Sequence, residues 1–170
     1  MADSIQFHGQ EKITRWLNKA LSELKDPTPL MREIGALLLK NTKERINTGI
    51  GTDDKPWQKS WRARIQGSTT LRDNSTLINS LKYQLENNGR RVVVGTNLIY
   101  APLMHFGGTV KPKRGKFLTF KTPTGGWVRV KSVTIKPRPY LGMSVDDSQD
   151  VLFTIEEFLE KALKDAKPVL

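Results

Sequence analysis

The sequence predicts an α+β domain: an N-terminal helical hairpin, a small, mostly antiparallel β-sheet built from hairpins, and a long C-terminal helix packed on the sheet. Two observations predict this class. Near both ends, apolar residues recur every three or four positions, as in amphipathic helices. In the middle, they alternate with polar residues around turn sequences. The 170 residues suffice for one core, so we expect a single domain over 1–170.

Residues 1–48 are predicted to form the helical hairpin. Apolar residues at helical spacing indicate a first helix over 10–24. They are Ile13, Trp16, Leu17, Ala20, Leu21 and Leu24. After a proline-containing break, Thr28 is expected to cap the second helix and Pro29 to occupy its first position. Gly49 is expected to end that helix.

Residues 49–74 are polar and are predicted to form a long loop with little regular structure. A loop of this length inside a compact domain is often functional. Trp57 and Trp61 are its large apolar residues, and Arg62 and Arg64 follow them. Burial is the favoured interpretation of the two tryptophans, and stacking on nucleic-acid bases is the alternative. These four residues are candidate contacts of the loop.

Residues 75–143 are predicted to form the β-rich core, which includes a short helix. Residues 81–86 alternate between apolar and polar, and Asn87-Asn88-Gly89 is typical of a hairpin turn before a returning strand. An apolar stretch at 98–106 indicates the short helix. Two extended segments around Pro123-Thr124-Gly125-Gly126 indicate a second hairpin.

Residues 144–166 are predicted to form the C-terminal helix. Ser144 and Asp147 have the spacing of a capping box. Apolar residues at helical spacing are expected to form one buried face. They are Val151, Leu152, Ile155, Phe158, Leu159, Ala162 and Leu163. Acidic residues early in the helix and lysines late suit its dipole.

The charge of the chain is concentrated in its middle. The formal net charge is +11, and residues 93–139 contain nine Lys or Arg and no Asp or Glu. Such a block attracts polyanions or an acidic protein face. Alternatively, the acidic C-terminal region of one copy pairs with the basic middle of its neighbour. The densest cluster, a predicted loop facing DNA or a partner, consists of Lys111, Lys113, Arg114 and Lys116.

Several classes of chemistry are disfavoured. The chain has no cysteine, which excludes disulfides, iron–sulfur clusters and Cys-based zinc sites. His8 and His105 cannot by themselves form a three-histidine site. No phosphate-binding loop or catalytic motif is present, so we expect no cofactor, no metal and no enzymatic activity. No signal peptide and no membrane segment are expected.

Arg138 lies between Pro137 and Pro139, which hold it in an extended segment. An arginine displayed in this way can pair with a carboxylate. Two interpretations stay open: a pair with the last helix of its own chain, which anchors that helix, and a pair with a neighbouring subunit.

Several short motifs, taken in order, resemble the phage virion morphogenesis family, which includes Mu-like G proteins and tail completion proteins. They are Lys55-Pro56-Trp57, Leu71-Arg72-Asp73, Leu77-Ile78-Asn79-Ser80-Leu81, Val92-Val93-Val94-Gly95-Thr96, Tyr100-Ala101, His105-Phe106-Gly107-Gly108 and Pro137-Arg138-Pro139-Tyr140-Leu141-Gly142. The resemblance covers roughly residues 30–165.

The resemblance implies a non-enzymatic α+β virion protein at the neck or head-proximal tail end, present in the host cytoplasm during assembly. It implies a homo-oligomeric ring, of six or twelve copies, that contacts other neck, tail terminator or head connector proteins and, non-specifically, genomic DNA. The runner-up interpretation is a non-specific nucleic-acid-binding module acting as a monomer or dimer. A regulatory or enzymatic domain with an unrecognised site is a weaker third.

Overall fold

The computed structural model describes residues 26–166, so the helix predicted over 10–24 lies outside the described residues. The described helices are α1 (Thr28–Thr48), α2 (Trp61–Ile65), α3 (Thr76–Ser80), α4 (Ala101–Phe106) and α5 (Val145–Ala166). The described strands are β1 (Lys82–Glu86), β2 (Arg91–Gly95), β3 (Gly108–Val110), β4 (Leu118–Lys121), β5 (Trp127–Val130) and β6 (Val133–Ile135). The predicted α+β class is confirmed.

The start of α1 differs from the prediction. Pro27, with helical φ and ψ, occupies the N-cap position, so Thr28 is already inside the helix and does not cap it. The Thr28 amide instead donates to Asp26 Oδ1 at 3.0 Å. The end of α1 is as predicted, because Gly49 has a φ of 75° and its amide bonds the Arg45 carbonyl at 2.8 Å.

Both predicted hairpins are confirmed. In the first, Tyr83 lies opposite Val94, and the turn residues Asn87, Asn88 and Gly89 all have positive φ. In the second, β4 pairs antiparallel with β5. A third antiparallel pair, β3 with β6, joins segments 25 residues apart and was not predicted. The strands therefore form three two-stranded sheets instead of one small sheet.

Helix α1 is the central element of the packing, because it contacts both the β1–β2 hairpin and α5. Gly35 allows the close approach of the hairpin. A Cβ atom at this position would meet the Tyr83 ring and lie 2.8 Å from Val92 Cγ2, closer than side chains tolerate. Gly35 therefore fits this crossing through its small size.

Helix α5 packs mainly on α1, whereas the sequence predicted that it packs on the sheet. Its buried face is narrower than predicted, because among the described elements α1 is its main partner and one helix covers only a narrow stripe. Leu152 is 60% exposed and Leu159 is 36% exposed, and Leu163 is also exposed, so their predicted burial is wrong. The capping box is confirmed: Ser144 Oγ accepts from the Asp147 amide at 3.1 Å, and an Asp147 carboxylate oxygen accepts from the Ser144 amide at 2.7 Å.

The core lies where the C-terminal end of α1 meets α3, α4 and the segment before α5. Its buried members are Ile46, Leu77, Leu81, Ala101 and Tyr140. The Tyr140 side chain is fully buried, and its hydroxyl donates to the Ala101 carbonyl at 3.2 Å. This arrangement supports the segments that carry the candidate site.

Candidate functional site

The predicted basic loop connects β3 to β4. Its four cations are all exposed: Lys111, Lys113, Arg114 and Lys116. Within residues 26–166, none of these side chains forms an ion pair or a hydrogen bond with another residue. Their positive charge is therefore available to an external anion, and residues 93–139 contain no carboxylate to neutralise it.

The β4–β5 hairpin extends this basic surface. Lys121 and Arg129 are exposed, and the Arg129 guanidinium lies 5.0 Å from the centre of the Phe117 ring. Trp127 is 71% exposed on the same strand face as Arg129. Sequence reasoning predicted this hairpin but did not select these residues. The available signal was the two-residue spacing of Trp127 and Arg129, which places both on one face.

The two tryptophans of the 49–74 segment have different environments. Trp57 is half-buried and packs against the core, and its indole Nε1 is buried without a hydrogen-bond partner in the described chain. Trp61 is 45% exposed, so the burial interpretation is wrong for it. Trp61 begins α2, whose N-cap Ser60 accepts from the Ala63 amide at 3.2 Å. The expected lack of regular structure is therefore wrong at α2.

The two arginines of α2 also differ. Arg62 is occupied within the chain: it donates to Ser68 Oγ at 2.8 Å and to the Thr69 carbonyl at 3.1 Å, and pairs with Asp73 at 3.5 Å. These contacts hold residues 68–73 against α2. Arg64 is exposed and has no polar side-chain partner among the described residues, so of the two it is the one available to a partner.

Arg138 is buried, with 7% of its surface exposed. Its guanidinium donates to the carbonyls of Lys136 at 3.2 Å and Gln58 at 3.3 Å, whereas Nε has no partner in the described chain. Burial lowers its pKa. No described carboxylate pairs with it, so the predicted pair with the last helix is wrong; Arg45 of α1 forms that pair, with Asp147.

Arg138 lines a cleft of about 630 Å³, which we call the α2 cleft. Apolar side chains from α2, α4 and β6 form much of its wall, among them Trp61, Met104 and Ile135. Its charged lining consists of Lys59, Arg62, Arg64, Asp73, Lys136 and Arg138. Five of these six groups are cationic, so the cleft suits an acidic, partly apolar partner.

Within residues 26–166, no cluster of three His, Asp or Glu side chains could hold a metal ion. None of the described helices combines the length and the apolarity needed to cross a membrane. The expected absence of a cofactor and of enzymatic activity stays a prediction.

Comparison with known proteins agrees with the resemblance seen in the sequence. The chain is 27% identical over 161 residues to the Mu-like prophage FluMu G protein 2 of Haemophilus influenzae, and the match covers 94% of this chain and 98% of that protein. No solved structure matches the chain. The phage virion morphogenesis family matches residues 9–162. The chain therefore belongs to the phage virion morphogenesis family.

Proposed function

We propose that this chain is a non-enzymatic structural protein of a tailed phage or prophage, acting in tail completion and head–tail joining as a ring subunit at the neck. Its family and the Mu-like prophage relative support a role in virion morphogenesis. The observation that carries the neck position is the basic loop at 111–116, whose exposed cations have no carboxylate partners within the described chain.

A ring gives this loop a physical use. One loop binds phosphate weakly, and copies repeated around a ring multiply that attraction without any base-specific contact. Weak, sequence-independent contacts hold DNA in the lumen and still allow it to pass. An acidic face of an adjoining neck, terminator or connector protein would bind the same loop by the same electrostatics.

The test is electron microscopy of lysates from a phage or prophage in which this gene is deleted. We expect DNA-filled heads beside unattached tails, and joined particles again when the wild-type chain is supplied. Infectious, joined particles in the deletion lysate would contradict the proposal. The chain should also be detected by mass spectrometry in purified wild-type particles.

The second candidate is a non-specific nucleic-acid-binding module acting as a monomer or dimer. The exposed Trp127 beside Arg129 favours it, because an aromatic ring with neighbouring cations can stack on unpaired bases. Light scattering and DNA binding at several salt concentrations separate the two candidates. A stable monomer or dimer with steeply salt-dependent DNA affinity would support the second, and assembly into rings or onto tails would support the first.

A further inference from the structure

We propose that copies of this chain join head to tail, with the outer face of α5 of one copy docked into the α2 cleft of the next. The inference rests on the ring proposed above and identifies the contact between its neighbours. The α5 outer face is defined by five exposed residues: Leu152, Phe153, Glu156, Leu159 and Glu160.

The α2 cleft has the size and chemistry of a docking site. Its volume of about 630 Å³ is in the range that accepts several side chains. Three of its cations, Lys59, Arg64 and Lys136, are exposed and form no ion pair within the described chain. Its single carboxylate, Asp73, is paired with Arg62. An acidic partner therefore meets unopposed positive charge.

Arg138 gives the cleft a second, independent reason to attract a carboxylate. The residue is more than nine-tenths buried, and its guanidinium has only carbonyl partners and leaves a buried Nε unpaired in the described chain. A buried cation without a carboxylate is energetically unfavourable. A carboxylate brought to the cleft by a partner would offset that cost.

The α5 outer face has the complementary chemistry. Leu152 and Phe153 are each 60% exposed and Leu159 is 36% exposed, which is unusual for large apolar side chains on one helix. Helical spacing places Glu156 and Glu160 on this same face. The opposite face of α5 packs on α1, and within residues 26–166 the side chains of the outer face stay exposed and can meet a second copy.

Charge complementarity favours the α2 cleft, and not the α5 outer face of another copy, as the surface that binds α5. Two α5 outer faces packed together would bring Glu156 near the Glu156 of the other copy, and such like charges repel, whereas Glu160 also pairs with Lys164 of its own helix at 3.2 Å. The cleft instead presents cations to both glutamates. Because helix and cleft are different surfaces of one chain, the contact is heterologous and can close into a ring.

Charge-swap complementation tests this contact. A helix variant carries Glu156→Lys and Glu160→Lys, and a cleft variant carries Lys59→Glu and Arg64→Glu. Either variant alone faces like charge across the contact, so we expect it to sediment as a single 19.3 kDa chain. When the two variants are mixed in equal amounts and alternate, every helix meets a cleft of opposite charge, and assembly should return. A control with Lys82→Glu and Arg90→Glu changes as much charge at exposed positions outside both the cleft and the 111–116 loop, and should assemble like wild type.

Either variant assembling alone as wild type does, or a mixture that remains single, would overturn the proposal. An introduced disulfide gives an independent reading, because the chain has no cysteine of its own. Arg64→Cys combined with Glu156→Cys should produce a ladder of cross-linked chains on oxidation, in purified protein or in particles. Lys82→Cys combined with Glu156→Cys should not.

The cross-link also separates this contact from the neck function. If oxidation of the purified chain produces the ladder but the chain is absent from particles, the head-to-tail contact is supported and the neck function is contradicted. If the chain is present in particles but gives no ladder either there or in purified protein, the neck function is supported and the head-to-tail contact is contradicted.

Discussion

Arg45 in α1 and Asp147 in α5 form a buried ion pair between residues 102 positions apart in the chain. The Asp147 carboxylate also accepts from Asn41 Nδ2 at 2.9 Å and from the Ser144 amide at 2.7 Å. The Arg45 guanidinium also donates to the Tyr140 carbonyl at 3.2 Å. The pair thus joins the helix cap of α5 to α1 and to the core tyrosine.

Replacing one member of this pair should destabilise the fold strongly. Asp147→Ala leaves the Arg45 guanidinium buried without its carboxylate, and we expect the free energy of unfolding to fall by about 3–5 kcal/mol. Urea denaturation measures the change. Asp150→Ala is the matched control, since Asp150 is exposed and also bonds Asn41, at 3.0 Å. Equal effects of the two substitutions would show that the buried pair does not fix α5.

Gly35→Ala should destabilise the protein although alanine is the better helix former. The substitution favours an isolated helix by about 1 kcal/mol. Here the new methyl group meets the Tyr83 ring and Val92, and such overpacking costs about 1–3 kcal/mol. We expect a net loss of thermal stability that shrinks in a Tyr83→Ala background. The same cost in both backgrounds would mean that Tyr83 is not the obstacle.

Leu81→Asp should unfold the domain. Leu81 is 2% exposed in the core cluster, and an unpaired carboxylate there costs more than a marginally stable domain can tolerate. Val94→Asp, at a half-buried position opposite Tyr83, should act in the same direction. Gln84→Asp, on the exposed face of β1, should leave circular dichroism and melting temperature nearly unchanged. Wild-type melting of the Leu81 variant would show that Leu81 is not part of the buried core.

His105 should make stability depend on pH. Burial lowers its pKa below the ordinary value of 6.5, and its Nδ1 accepts from the Leu141 amide at 3.4 Å. Below about pH 6.5 the unfolded chain therefore binds more protons than the folded one, so stability falls as pH falls. Between about pH 7.5 and pH 5.5, we expect the free energy of unfolding to fall more for wild type than for His105→Gln. Identical losses in urea denaturation would exclude this contribution.

Reversing the basic loop should block the completion of infectious particles while leaving the fold intact. We expect Lys111, Lys113, Arg114 and Lys116, all changed to Glu, to preserve the melting temperature, because none of them has a partner within the described chain. Infectious yield, measured by complementation of the deletion, should drop at least tenfold. A control reverses four other exposed cations, Arg32, Lys40, Lys82 and Arg90. A normal infectious yield from the loop variant would show that the loop does not contribute to the function.

Local features of the fold could be read from the sequence. The Asn87-Asn88-Gly89 turn, the Ser144–Asp147 capping box and the stop at Gly49 are set by residues a few positions apart. The pairing of β3 with β6 and the packing of α5 on α1 could not be read in this way. Both depend on contacts between distant segments, which periodicity within a segment does not report.

In the candidate site, too, only the local features could be predicted from the sequence. The cluster at 111–116 is visible as a run of charge, and the structure places it in an exposed loop. The role of Arg138 was not predictable, because its prolines indicate an extended backbone but not burial beneath carbonyl groups. The pairing of Arg45 with Asp147 was hidden for a similar reason: one arginine among many in an amphipathic helix gives no sign of burial.

The most direct measurement is a cryo-electron microscopy reconstruction of the neck of wild-type particles, with this chain located by its mass and shape. We expect a closed ring of copies around the DNA channel, with the 111–116 loop facing DNA or an acidic neighbouring protein. Particles whose neck contains no density for the chain, or only an isolated copy outside any ring, would contradict a ring subunit at the head–tail junction.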